Sequence, residues 1–206
     1  MADLLCTIAQ VKARIPITDS ADDAMLTEMV TEISAWIENF TGRKLAPDNA
    51  ATYTFDTVAG YTLRIPYGIR SVTSMGVAQT HQPDTGGTYV TIPAADQLLR
   101  PKVQDGPIGW PFTRIDLTRG TLAGSVRTFA SAQNGCTITG NFGFAAVPPE
   151  IESIAIDAVV TAYTTRQDGA SGVIGAEGWS GPPWSAFFGR GSPQRSTLDR
   201  YAVSAF

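Results

Sequence analysis

At 206 residues, 43% hydrophobic and 17% charged, the chain is too apolar to be disordered and long enough for one domain with a sizeable core, with or without an arm. A net charge of −4 and a pI near 4.9 give no general electrostatic reason to bind nucleic acid or an anionic membrane. The charge is uneven: residues 1–51 carry eight acids and four bases, 52–149 five and seven, 150–168 four and one, and 169–206 two and three.

In chain order, Thr7-Ile8-Ala9-Gln10 has the form of a capping box and predicts a short helix over 7–14, stopped by Pro16. "TDSADDAMLTEMVTEISAWIENFTG" predicts a long helix over 20–41, with Asp19 or Ser20 as N-cap and Asp22 and Asp23 at the positive end of its dipole. Its apolar residues Leu26, Met29, Val30, Ile33, Trp36, Ile37 and Phe40 recur at steps of three and four and make one wide stripe. Gly42 closes it, with Arg43 and Lys44 beside the negative end.

From about residue 51 the period changes to two. "TYTFD", "YTLRIPY", "IRSVTSMGVA", "TYVTI" and "CTITGNFGF" are short and rich in Thr, Tyr, Val and Ile, with Gly, Pro, Asp and Asn between them, so a small antiparallel sheet is expected within an insert over 51–145. "RPKVQDGPIGWPF", around Trp110, is read as a long excursion packed by its own aromatics. At "AVPPEIESIAIDAVVTAYTTRQDG" the period returns to 3.6 and predicts a helix over 149–166, entered at Pro148-Pro149 and ended by Gly169. Its stripe, Ile151, Ile154, Ala155, Ala158, Val159, Ala162 and Tyr163, is small enough for close helix packing. Residues 169–206 read as a glycine-rich aromatic arm, ending in one or two helical turns at "STLDRYAV" capped by Ser196.

Groups that carry chemistry are scarce. The single histidine, His81, lies in "QTHQPDTGG" and reads as an exposed loop residue rather than the base of a Ser-His-Asp arrangement. Cys6 and Cys136, the only cysteines, argue against a disulfide scaffold and a zinc site and are read as free thiols in a reducing compartment. Glu28 and Glu32 share a helix face, which reads as solvated rather than as a cation site. No phosphate-binding glycine loop is present, and no cofactor is expected. The arginines Arg64, Arg70, Arg100, Arg114, Arg119 and Arg127 are spread out and form no stripe in one dimension. With no basic-then-apolar leader and no apolar run of membrane-spanning length, the expectation is a soluble protein made in a cytoplasm.

What remains is an interaction protein. "GAEGWSGPPWSAFFGRG", residues 175–191, joins a broken, flexible backbone to large apolar rings. Its Trp179, Trp184, Phe187 and Phe188, with Leu198 and Tyr201 beyond, are the candidate partner-binding residues, docking on another subunit or a partner; the alternative is an arm folded over its own domain.

Three stretches, in this order, resemble the head-to-tail adaptor (head-tail connector) family of tailed bacteriophages and gene transfer agents: "TIAQVKARIPITDSADDAMLTEMVTEISAWIENFTGRKL", "LRIPYGIRSVTSMGVA" and "TITGNFGFAAVPPEIESIAIDAVVTAYTTR". The insert around Trp110 is longer than in the simplest members, and the tail aromatics match no family pattern residue by residue. The resemblance implies an α+β fold: an antiparallel helical bundle of two long and further short helices with a small inserted antiparallel sheet and an extended carboxyl-terminal arm. On this reading residues 1–168 form the adaptor domain and 169–206 the arm. It further implies a non-enzymatic virion protein, assembled in the host bacterial cytoplasm into a homo-oligomeric, dodecameric ring at the neck between capsid and tail. Such a ring binds the portal protein on one side and a stopper, head-closure or tail protein on the other. DNA passes through its lumen without sequence-specific binding, and no membrane is involved. The alternatives are another virion ring protein, a stopper or tail-completion protein, or a small hydrolase or carbohydrate-binding module using the β insert.

Overall fold

A computed structural model describes residues 4–78, 89–100, 110–118, 128–167, 187–189 and 191–202. The chain divides into two compact units, one made of residues 1–46 with 146–206 and the other of residues 47–145.

The first unit is helical. The Thr7 capping box forms as its sequence requires: the Gln10 backbone N–H donates to Thr7 Oγ1 at 3.3 Å and the Thr7 N–H to Gln10 Oε1 at 2.8 Å, starting α1 (Ile8–Lys12). The long helix α2 (Asp23–Thr41) starts two or three residues later than expected, with Asp22 as N-cap. The Asp22 carboxylate gives no cap bond and instead accepts from the Tyr163 hydroxyl at 2.6 Å, tying the start of α2 to α3 (Pro149–Gln167). Leu26, Met29, Val30, Ile33 and Ile37 are buried along α2, while Trp36 and Phe40 are only half-buried at the edge of the stripe. Gly42 ends the helix in the left-handed region at φ 64, as a glycine there can without strain. On α3 the alanines Ala155, Ala158 and Ala162 are buried with Ile151, Ile154, Val159 and Tyr163, and this face packs on α2. A fourth helix, α4 (Pro193–Tyr201), packs on both α2 and α3. Its N-cap is Ser192, whose Oγ accepts from the Arg195 N–H at 3.2 Å, not Ser196.

The second unit carries β1 (Asp48–Thr57), β2 (Thr62–Ala78), β3 (Tyr89–Thr91), β4 (Gln97–Arg100), β5 (Phe112–Leu117) and β6 (Ala132–Phe142), with a 3-10 turn at Ala94–Asp96. They form one antiparallel six-stranded sheet in the order β1-β6-β2-β5-β4, with β3 added to β2. This corrects the expected helical bundle with a small inserted sheet: the fold is a mixed helix-and-sheet one in which a large six-stranded sheet has a core of its own.

The reason lies in β2. Sequence reading gives two short strands parted at Gly68, yet Thr62–Ala78 is one strand of 17 residues that changes partner there. Thr62 to Arg64 pair with Asp116 to Arg114 of β5; from Ile69 onward the strand pairs with β6. Pro66, with no N–H to donate, sits in the register break between Arg64 and Ile69, and Gly68 takes φ 76 where a Cβ would lie 2.8 Å from Pro111. Inward-facing Phe55, Leu63, Ile65, Met75, Val77, Ile115, Leu117, Cys136, Ile138 and Phe142 make the sheet's core, as the period of two requires.

Candidate partner interface at the carboxyl-terminal segment

The surroundings of the predicted partner-binding residues build up from α4. Pro193 occupies the first helical position, where its missing N–H costs nothing, and Ser192 caps the end. One turn on, Arg195 reaches back: its guanidinium lies 5.0 Å from the centroid of the Phe40 ring and Nη1 is 3.5 Å from the Phe188 carbonyl oxygen. Phe188 is buried and stacked on Trp36, with centroids 4.3 Å apart and planes 24° off parallel. Trp36 stacks in turn on Phe40 at 5.3 Å, and Phe187 meets Phe188 edge-on at 5.1 Å. The result is a ladder of rings, Phe187, Phe188, Trp36 and Phe40, with a cation against its end.

Leu198 and Tyr201 are buried on the inner face of α4, one turn apart. Burial, with the nearby Glu150 charge, raises the Tyr201 phenol above its ordinary pKa, so the hydroxyl stays protonated. Arg200 on the outer face pairs with Glu150 at 3.0 Å.

Of the six sequence-predicted contact residues, then, Phe188, Leu198 and Tyr201 have their apolar surface covered by this chain, and Phe187 is half-buried at the outer rung of the ladder. Trp179 and Trp184 lie outside the described residues, as do His81, Gly169 and residues 101–109 of the Trp110 excursion. Trp110 itself rests edge-on against Phe144 at 5.6 Å. Trp36 and Phe40 were read only as core stripe; their position at its edge, beside polar neighbours, was the available signal for a docking shelf.

Cys6 and Cys136 are free and buried, in different units, and burial pushes their thiols up to about 11 and about 12. Among the described residues no group of three or more His, Cys, Asp and Glu is placed to hold a metal ion.

The fold is shared with chains of gene transfer agent (GTA) particles. Over 96% of this chain and 89% of the other, it superposes with a TM-score of 0.57 and 17% identity on a chain from the neck of an empty GTA particle computed with C6 symmetry. A chain from the neck of a native GTA particle computed with C12 symmetry gives 0.52 at 15% identity, covering 97% of this chain and 89% of that one. One from the virion of a native gene transfer agent (GTA) particle gives 0.54 at 17%, covering 96% and 89%. Residues 6–70 match the family described as Phage gp6-like head-tail connector protein, a segment that runs from Cys6 through α1, α2 and β1 into β2. The family match spans about a third of the chain, and the three superpositions show a shared fold. No curated protein matches the chain.

Proposed function

We propose that the chain is a structural protein of the virion neck, a head-to-tail adaptor that assembles into a homo-oligomeric ring, dodecameric by family resemblance. It joins the portal to a stopper, head-closure or tail protein and extends the channel through which DNA passes without sequence recognition. It catalyses no reaction in this role. The observation that carries the reading is the coincidence of two likenesses: a fold shared over 96% of the chain with a GTA neck chain, and a connector-family match over residues 6–70.

The candidate contact residues that the structure describes divide by their burial. Phe188, Leu198 and Tyr201 anchor the carboxyl-terminal segment to α2 and α3. The half-buried Phe187 is assigned to the portal or the neighbouring subunit, and Trp179 and Trp184, outside the described residues, are assigned there from the sequence.

Electron microscopy of the chain mixed with the portal protein of the same genome tests the reading. Ring density of this chain capping the portal is the expected result. No complex with portal, together with absence of the chain from the necks of purified particles, would overturn it. Replacing Trp179 and Trp184 by Ser should weaken portal binding while leaving helix content unchanged; undiminished binding would remove those two residues from the interface.

A further inference from the structure

The sheet brings together arginines that are far apart in the chain. Arg64 of β2 stands directly opposite Arg114 of β5, and Arg114 directly opposite Arg100 of β4. Directly paired residues share a sheet face, and neighbouring strands lie ~4.8 Å apart, so the three guanidinium groups form one rung across three strands. The adjacent residues Leu63, Ile65 and Ile115 are buried on the opposite face, which puts the rung on the outer one. Arg64 and Arg114 are exposed.

Like charges directly opposite in a sheet repel. One carboxylate on the same face offsets part of this: Asp116 lies 3.1 Å from Arg100 Nε and 3.4 Å from Arg114 Nε, and accepts from the Thr62 hydroxyl at 2.8 Å. Arg64 has no ion pair among the described residues, and the rung keeps an excess of positive charge in a chain whose net charge is −4.

The opposite charge lies on the helical unit, which carries thirteen acids and eight bases against six and seven in the sheet unit. On α2, Glu28 and Glu32 are exposed and share a face one turn apart, without an ion pair among the described residues. Their spacing, ~5–6 Å between Cβ atoms, is close to the ~4.8 Å between Arg64 and Arg114. Of the other acids of this unit, Asp157 is engaged by Arg14 and Glu150 by Arg200; Asp19 and Asp199 are exposed without an ion pair among the described residues, but only Glu28 and Glu32 there make such an exposed pair one helical turn apart.

A cyclic ring needs a heterologous contact, in which one patch of a subunit meets a different patch of the next. Resting on the ring reading above, we infer that the Arg64–Arg114–Arg100 rung is one half of that contact and that its occupant is a second copy of this chain, presenting Glu28 and Glu32 of α2. Both halves are charged and exposed, so the contact steers subunits together and weakens with salt.

A charge swap on the full-length chain tests this. In Arg64→Glu/Arg114→Glu the rung meets an acidic face, and in Glu28→Lys/Glu32→Lys a basic one, so each variant alone should self-associate at least ~10-fold more weakly than the native chain at low salt by sedimentation velocity. An equimolar mixture restores opposite charge at every contact and should recover assembly. Circular dichroism checks that both variants are folded. Should the native chain assemble only in particles, the same readout is tail attachment in a host lacking the native gene: each variant fails and co-expression of the two rescues. Assembly of either variant at native strength overturns the contact while leaving the ring intact, whereas absence of the native chain from any ring overturns the ring reading. Binding of a short DNA duplex that is lost in Arg64→Glu/Arg114→Glu, with assembly unchanged, would give the rung to phosphate instead.

Discussion

Phe188 stacks on Trp36, centroids 4.3 Å apart, and that contact fastens the carboxyl-terminal segment to the second half of α2. Phe188 is 2% exposed and carries the segment into α4, so its ring acts as core and not as a waiting anchor. Phe188→Ala should therefore cost about 3–5 kcal/mol, the range for truncating a buried aromatic. Its half-buried neighbour Phe187 should cost under ~1 kcal/mol on the same change. Urea unfolding followed by tryptophan fluorescence separates the two. If Phe187→Ala also weakens portal binding while Phe187→Leu restores it, the outer rung belongs to the interface.

Leu198 is fully buried on α4. Leu198→Ala should cost about 2–5 kcal/mol, read as a lowered urea midpoint for the helical unit. The same burial bears on truncation. Removing residues 176–206 takes away Phe188, Leu198 and Tyr201 together and exposes the Trp36 side of α2, so the truncated chain should unfold at lower urea and bind more of a hydrophobic dye.

The helices were legible because their signals are local. The Thr7 capping box, the α2 stripe from Leu26 to Ile37, the left-handed Gly42 and the Pro149 start of α3 all act within a few residues. The sheet was legible in period but not in extent. Pro66 and Gly68 break most strands, and only the change of partner from β5 to β6 explains why β2 runs through them. β5 was hidden because Phe112 to Leu117 follows Trp110-Pro111 and has too few alternations to stand out. The arginine rung and the Phe188–Trp36 stack were not legible at all, since each joins residues whose proximity depends on register or tertiary packing.

Gly140 of β6 faces Val72 of β2, and a Cβ built on it would lie 2.2 Å from the Ser71 carbonyl oxygen and 3.2 Å from Val72 Cα. Both are backbone atoms, so relief requires parting two central strands. Gly140→Ala should cost about 3 kcal/mol or more, at or above the upper end of ordinary overpacking. Gly191, at φ 85 with open space around it, is the control: Gly191→Ala meets only backbone strain, about 1–2 kcal/mol. Thermal unfolding of the two variants should rank them in that order.

The buried thiols make stability fall on the alkaline side. An ordinary thiol here titrates near 9.0, whereas burial holds Cys6 up to about 11 and Cys136 up to about 12. Below pH 9 both are protonated whether the chain is folded or not, and they add no pH dependence. Above it the unfolded chain releases protons that the folded chain retains, so each thiol removes ~1.4 kcal/mol per pH unit from the stability of its unit. The loss levels off near pH 11 for Cys6, in the helical unit, and near pH 12 for Cys136, in the sheet. Tyrosines and lysines titrate in the same range, so the test is a difference. Cys136→Ala should lower stability at pH 8, by opening a cavity, yet show a shallower decline from pH 9 to 10 than the native chain in urea titrations of the sheet unit. Equal slopes would mean that the Cys136 thiol reaches solvent in the native state, and rapid native alkylation by iodoacetamide at pH 8 would show it directly.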